Sequence, residues 1–239
     1  MKKILSLLRK ADERYGLIEN GDKIAVGVSG GKDSMVLLKA LSTYRQYIKK
    51  DFEILSLTVD LGLDGFDTSG MEGFAKSLGI EHKTIKTDIG KIVFDIRKES
   101  NPCALCAKMR KGALYSTAVE EGCNKAAFGH HVDDAIETFF MSMLYEGRMH
   151  TISPKINLSR TGICLIRPLI LVRENDIIKY AAREGIPICK NPCPASGFTK
   201  RQEAKEEMLK LYALRPGAKE SIERAVVEGL IQNEITKTT

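Results

Sequence analysis

The sequence predicts an α/β protein: an open parallel sheet with helices on both faces, followed by C-terminal helices. Three observations predict it. From Lys23 to Leu169, short apolar runs alternate with longer amphipathic segments, the order expected of βαβ units. Two of those runs end abruptly in small and polar residues and pass straight into helical periodicity, at 27–34 and at 129–138. After Arg173 strand-like runs stop and helical patterns continue.

Each element follows from local pattern. Lys2 to Tyr15 places Ile4, Leu7, Leu8 and Ala11 at helical spacing, with basic residues between them. That basic face is either a solvated surface or a nucleic-acid contact. Lys23 to Val28 is the first strand and Asp33 to Lys49 the first helix of the sheet region. Phe52 to Val59 is a strand ending at Asp60-Leu61-Gly62, Gly70 to Leu78 a helix, and Glu81 to Lys86 a strand. Lys91 to Arg97 reads as a short helix or an extended linker, and Ala104 to Glu121 as a helix. Lys125 to Phe128 is a strand, Val132 to Tyr145 a long apolar helix, and Gly147 to Thr161 a loop carrying Arg148, His150, Lys155 and Arg160. Ile163 to Ile166 is a fifth strand, Glu174 to Glu184 a helix, and Gly185 to Thr199 a Pro- and Gly-rich loop. Arg201 to Leu214 and Ala218 to Leu230 are the last helices. The division expected is a nucleotide-binding domain at 1–172, N-terminal helix included, and a helical appendage at 173–239.

Bulk properties narrow the class. With 239 residues, 43% of them hydrophobic, the chain can bury one large α/β core. No run approaches the roughly eighteen apolar residues of a membrane span. Met1 to Leu8 is too short and polar for a signal peptide, so a cytoplasmic protein is expected. A net charge of +6 is compatible with a polyanionic partner, for which the basic N-terminal helix, the loop with Arg148, Lys155 and Arg160, and Lys200-Arg201 are the candidate contacts. Aromatics at 6% and no Trp argue against a base-stacking single-strand binder. Six cysteines in such a chain point to metal or thiol chemistry rather than a disulfide framework.

The richest stretch is Ala25-Val26-Gly27-Val28-Ser29-Gly30-Gly31-Lys32-Asp33-Ser34. A strand, a glycine-rich loop and a helix N-terminus offer backbone N–H groups and a positive dipole end to an anion. Gly30 and Gly31 permit close approach, Lys32 adds a charge, and Ser29 and Ser34 add hydroxyl donors. The ligand implied is a phosphate or pyrophosphate. A Walker A loop is excluded, because Val26 stands at its first glycine position and Asp33 follows the lysine. The Rossmann spacing is excluded because Ser29 stands at its second glycine.

Three further features converge on the same sheet edge. Asp60 ends a strand, where α/β proteins bind ligands, although a turn-forming role before Gly62 is the competing reading. Gly129-His130-His131-Val132-Asp133-Asp134 is a second strand-to-helix turn. Gly129 and His130 line a nucleotide there, while one of Asp133 and Asp134 caps the helix and the other reaches the site. Such a carboxylate holds Mg²⁺ through water or takes a proton from an incoming group. Cys103 and Cys106 open a helix and Cys193 precedes another, positions that acidify thiols. An iron–sulfur cluster on three cysteines, zinc with Cys189 as fourth ligand, a persulfide relay and a purely structural role are the alternatives. Cys123, Cys164 and Cys189 read as small buried hydrophobes. The apolar helix around Phe139, Phe140, Met141 and Met143 supplies either core or a homodimer surface.

Taken together, Ser-Gly-Gly-Lys-Asp-Ser at 29–34, Cys103-x-x-Cys106 with Arg110-Lys111-Gly112, and Gly129-His130-His131-x-Asp133-Asp134-x-x-Glu137-Thr138 resemble the TtcA family of tRNA 2-thiocytidine synthetases, in the PP-loop ATP pyrophosphatase superfamily. Arg167-Pro168-Leu169, Arg173-Glu174, Cys193 and Arg201-Gln202 with Lys205, Met208 and Leu209 extend the likeness. Asp60-Leu61-Gly62 looks more like the related 2-thiouridine synthetases, and the loop at 192–197 departs from the final Cys-x-x-Cys of bacterial TtcA. The resemblance implies the adenine nucleotide alpha hydrolase-like PP-loop fold and an ATP-dependent tRNA sulfurtransferase forming AMP and pyrophosphate. It implies ATP on 29–34, Mg²⁺, and a [4Fe-4S] cluster on Cys103, Cys106 and Cys193. Lys32, Arg110, Asp133 and Asp134 are then the catalytic group, Asp134 being the one directed to nucleotide or Mg²⁺. The partners implied are tRNA and a sulfur donor such as a cysteine desulfurase product. A cluster-free PP-loop ligase or amidotransferase acting on RNA and a non-catalytic nucleotide-binding protein share the loop and remain alternatives.

Overall fold

The computed structural model describes residues 1–97, 102–189, 192–193 and 200–231. Its centre is a six-stranded sheet in the order β3-β2-β1-β4-β6-β5, formed by β1 (Asp22–Gly27), β2 (Phe52–Asp60), β3 (Glu81–Lys86), β4 (Lys125–Ala127), β5 (Lys155–Asn157) and β6 (Cys164–Ile166). All neighbours are parallel except β5, which runs antiparallel to β6. The segment expected to be a loop at 147–161 therefore contains an edge strand. Three residues are too short a run to carry a period-two signal, and pairing with β6 decides their conformation.

Eight α-helices flank the sheet among the described residues: α1 (Lys2–Tyr15), α2 (Lys32–Tyr47), α3 (Ser69–Ser77), α4 (Pro102–Glu120), α5 (Val132–Met141), α6 (Glu174–Arg183), α7 (Lys200–Ala213) and α8 (Ala218–Arg224). Lys91–Arg97, Ser142–Glu146 and Ala225–Ile231 form π-helical turns, the latter two as continuations of α5 and α8. No helix among the described residues is long and apolar enough to cross a membrane.

The pleat sorts the strands' side chains between two faces. Ile24, Val26 and Ile54 join one apolar cluster with α1, α2 and α5, while Ala25, Leu55 and Leu57 join a second with Leu114 and Ala118 of α4. The first cluster continues into Ile177, Met208 and Val226, so the helices after Arg173 share its core. Phe140 is buried in it, whereas Met143, Leu144, Tyr145 and Met149 are exposed. A third, smaller cluster of Leu61, Ile89, Val93 and Cys106 lies beyond the end of β2. Buried Asp12 joins α1 to its surroundings. It accepts from Ile18 N at 2.8 Å, Tyr44 Oη at 2.9 Å and Lys50 Nζ at 2.8 Å.

β1 pairs with β2 on one side and β4 on the other, so the strand order reverses between β1 and β4. The crevice beyond the carboxyl ends of strands at such a point is where open α/β sheets bind ligands. The turns after β1 and β4 are the two singled out from sequence, and they meet there.

Candidate active site

The loop after β1 is held by its own serines. Ser34 Oγ accepts from Ser29 N at 3.1 Å and donates to Gly31 O at 2.9 Å, and the two hydroxyls stand 3.3 Å apart. Gly30 has φ +78°, and a Cβ there would come within 2.8 Å of Cys189 Cβ. No side chain caps the N-terminus of α2 at Gly31, so its first amides stay available to an anion.

The second turn has a reciprocal cap. His131 N donates to Asp134 Oδ2 at 2.9 Å, and Asp134 N donates to His131 Nδ1 at 3.4 Å. His131 Nε2 then stands 3.6 Å from Asp33 Oδ1 and 3.4 Å from Asp134 Oδ2, so one buried imidazole bridges the two helix N-termini. Asp33 Oδ1 is itself buried with no hydrogen-bond partner.

Between the turns opens a cavity of about 330 Å³. Gly27, Ser29, Asp33 and Ser34 line it from the first turn, and Gly129, His130 and Asp134 from the second. Leu57, Val59, Leu61, Leu63 and Phe66 form an apolar wall, and Arg110 and Lys111 of α4 face across it. Arg110 Nε is buried without a hydrogen-bond partner. Lys111 has its pKa lowered by burial and then by Arg167 and Arg110. A cluster of three cations with one unbonded N–H is a place for an anion. Arg167 Nε donates to His130 Nδ1 at 3.2 Å and Arg167 Nη1 to Ser153 O, which presents the imidazole to the cavity.

Several expected residues lie elsewhere. Asp60 does not line the cavity. Its carboxylate accepts from Gly62 N at 2.9 Å, the turn-forming reading, and its neighbour Leu61 faces the cavity instead. Asp133 is occupied away from it, accepting from Glu174 N at 2.7 Å and Lys219 Nζ at 3.0 Å. Asp134 combines capping and cavity lining, where sequence had divided those tasks between the two aspartates. Lys32 is off the cavity wall too, 3.0 Å from Glu174 Oε1 and 3.1 Å from Asp33 Oδ2. Lys155 Nζ donates to Gly16 O at 2.7 Å, and Arg160 lies between β5 and β6, at the sheet edge opposite the phosphate loop. The side chains of Lys200 and Arg201, and the loop residues 194–197, lie outside the described residues.

None of the six cysteines forms a disulfide. Cys106 is buried in the third apolar cluster, and burial pushes its thiol up, opposite to the acidification expected of a helix start. Arg110 opposes that rise, while Cys193 and Cys103 add to it, so both of those thiols are within electrostatic reach of Cys106. Among the described residues no three His, Cys, Asp or Glu side chains stand close enough to hold a metal ion as the chain stands. Pro192, beside Cys193, lines the cavity, so the cysteines lie at its margin. Cys123 and Cys164 are core residues as expected, whereas half-buried Cys189 packs on the phosphate loop, with its N donating to Gly30 O at 3.0 Å.

Glu174 and the apolar wall were not singled out from the sequence as site residues. Leu57 and Val59 close β2 and Leu61, Leu63 and Phe66 follow it, so position relative to a strand's carboxyl end was the available signal.

This fold and this loop define an ATP-binding protein of the PP-loop class, and the PP-loop domain model matches residues 2–210. Within that class the chain belongs to the TtcA family of tRNA thiolation enzymes. It is 38% identical over 213 residues to the tRNA-cytidine(32) 2-sulfurtransferase of Syntrophotalea carbinolica, covering 89% of this chain and 82% of that protein. It is 34% identical to the protein of the same name from Geobacter sulfurreducens, covering 94% and 89%. Among solved structures it resembles the U34-tRNA thiolase NcsA from Methanococcus maripaludis with its [4Fe-4S] cluster, with a TM-score of 0.73 and 27% identity over 93% of this chain and 77% of that one.

Proposed function

We propose that this chain uses ATP to activate the C2 oxygen of a tRNA pyrimidine, an anticodon-loop cytidine, and replaces that oxygen with sulfur. The observation that carries the reading is one cavity joining the phosphate loop, two carboxylates and the Arg110–Lys111 pair, with cysteines at its margin. The names of the relatives support tRNA as substrate and cytidine as the base.

In this reading residues 1–172 bind nucleotide and residues 173–239 bring the third cysteine. The wall of Leu61, Leu63 and Phe66 takes the adenine. The loop amides, Ser29 and Ser34 take the phosphates. Asp33 and Asp134 hold Mg²⁺ through water, for which the unbonded buried Asp33 Oδ1 is a fitting hard donor. The base oxygen attacks the α-phosphorus and the bond to pyrophosphate breaks. Lys32, Arg110 and the loop amides stabilise the charge that develops. Sulfur at the sulfide level then adds to C2, and AMP leaves with the oxygen, so no electrons are transferred.

Cys103, Cys106 and Cys193 are soft donors, two of them within electrostatic reach of Cys106, and the chemistry of this donor set fits a [4Fe-4S] cluster. Held by these three thiolates, such a cluster would supply a Lewis-acidic iron site for the incoming sulfur. The sulfur comes from a donor such as a cysteine desulfurase product, whose persulfide is reduced by two electrons from a thiol to release the sulfide.

Mass spectrometry of tRNA nucleosides tests the reading. Incubation of unmodified tRNA with the protein, Mg-ATP and sulfide under anaerobic conditions is expected to yield 2-thiocytidine and one pyrophosphate per thiolated base. Pyrophosphate release with a nitrogen- or amino-acid-modified base would favour the cluster-free ligase. No AMP or pyrophosphate with any RNA would leave a nucleotide-binding protein.

A further inference from the structure

We infer that Glu174 is a positioning residue for the nucleotide step: it holds the Lys32 ammonium clear of the cavity and yields it to incoming phosphates, while Lys205 of α7 keeps Glu174 compensated. This rests on the reading of 29–34 as the ATP phosphate site.

The geometry is a carboxylate shared between two lysines. Lys32 Nζ lies 3.0 Å from Glu174 Oε1, and Lys205 Nζ donates to Glu174 Oε2 at 2.8 Å. The two loop-side partners are partly buried, with side chains 27% and 22% exposed for Lys32 and Glu174. Glu174 is anchored independently of Lys32. Its N–H donates to Asp133 Oδ2 at 2.7 Å, and Asp133 Oδ1 accepts from Lys219 Nζ at 3.0 Å. When the ammonium leaves, the Glu174 backbone therefore stays where it is, and Lys205 still holds the carboxylate.

A partly buried carboxylate with a single cation resists losing it, because an uncompensated charge remains. A second cation removes most of that resistance. Lys32 has a flexible four-carbon stem at the first residue of α2, and a triphosphate carries more charge than one carboxylate. Nucleotide can thus draw Lys32 from Glu174 without stranding Glu174. Lys205 accordingly affects nucleotide affinity without touching nucleotide, and by linkage nucleotide alters the hold of α6 on α7.

The test is calorimetric titration of Mg-ATP into the full chain without tRNA, for the wild type, Lys32→Met, Glu174→Gln, Lys205→Met and the Glu174→Gln/Lys205→Met double variant. Removing the competing carboxylate is expected to tighten binding about fivefold, and Lys205→Met to weaken it by a similar factor. The double variant should match Glu174→Gln, because Glu174 Oε2, at 2.8 Å, is the nearest partner of Lys205, with Glu137 Oε1 further off at 3.8 Å. A purely structural role for Lys205 would shift both backgrounds equally, and that result overturns the inference. So does weaker binding in Glu174→Gln. Lys205 has a side chain 38% exposed. If Glu174→Gln does not fold, an unchanged affinity in Lys205→Met still overturns the inference. Unchanged affinity in Lys32→Met would overturn the phosphate-site reading itself; weakened binding there with a silent Lys205→Met overturns only the role of Glu174.

Discussion

Gly129 lies against the first turn of α2: a Cβ on it would stand 2.8 Å from the Asp33 carbonyl oxygen and 3.0 Å from Ser34 N. The atoms it would strike are backbone, which cannot swing aside. Gly129→Ala is therefore expected to destabilise the protein by about 1–3 kcal/mol in urea unfolding, through overpacking. It should also weaken ATP binding, because it pushes apart the two turns that form the cavity.

The neighbouring aspartates should separate stability from chemistry. Asp133→Ala leaves Glu174 N and Lys219 without their acceptor and is expected to cost about 1–3 kcal/mol of stability. Asp134→Ala loses one half of a reciprocal cap, about 1 kcal/mol, but should lower tRNA-dependent pyrophosphate release by about a hundredfold. Urea unfolding and a pyrophosphate assay on both variants check this. Equal losses of activity at equal stability would contradict the assignment.

The cysteines should divide into two groups. Cys103→Ala, Cys106→Ala and Cys193→Ala are each expected to lose the broad visible absorbance and iron content of anaerobically reconstituted protein. Cys123→Ala and Cys164→Ala should keep both, at a core-packing cost of about 1 kcal/mol. An iron-free, colourless protein with full thiolation activity would sink the cluster assignment.

Glu174 gives a defined pH signature. Lys205 and Lys32 outweigh burial and lower its carboxyl from 4.5 to about 2. A depressed folded-state value means stabilisation fully present above the unfolded pKa and lost as pH falls through the folded one. The stability difference between wild type and Glu174→Gln should be constant above about pH 5 and shrink from there towards pH 2. Urea midpoints across that range measure it. A difference that titrates near neutrality would assign the effect to another group.

Much of the site was legible because it is local. Ser29 to Ser34 and Gly129 to Asp134 are single strand-to-helix turns, and the residues lining the cavity from them follow from chain order alone. The choices between adjacent or alternative roles were not legible. Asp60 and Leu61 differ by one position at a strand end, and the chain's path into Gly62 decides which faces the cavity. Asp133 and Asp134 both suit a first helical turn, and only the arrival of α6 and α8 assigns Asp133 to Glu174 and Lys219. The helix start at Cys106 pointed to an acidic thiol, yet packing against Leu61 and Val93 raises its pKa.

The sequence by itself determined the fold class, the phosphate loop, the second turn and the family, because period, turn chemistry and motif spacing are properties of consecutive residues. Only the tertiary structure decided that β5 closes the sheet edge, that Arg160 lies far from the loop, and that Lys32 rests on Glu174 with Lys205 behind it. The physical reason is range. A loop's own hydrogen bonds are written within a few positions, whereas the charge that meets Lys32 comes from Glu174 and Lys205, which reach it only once α6 and α7 have packed.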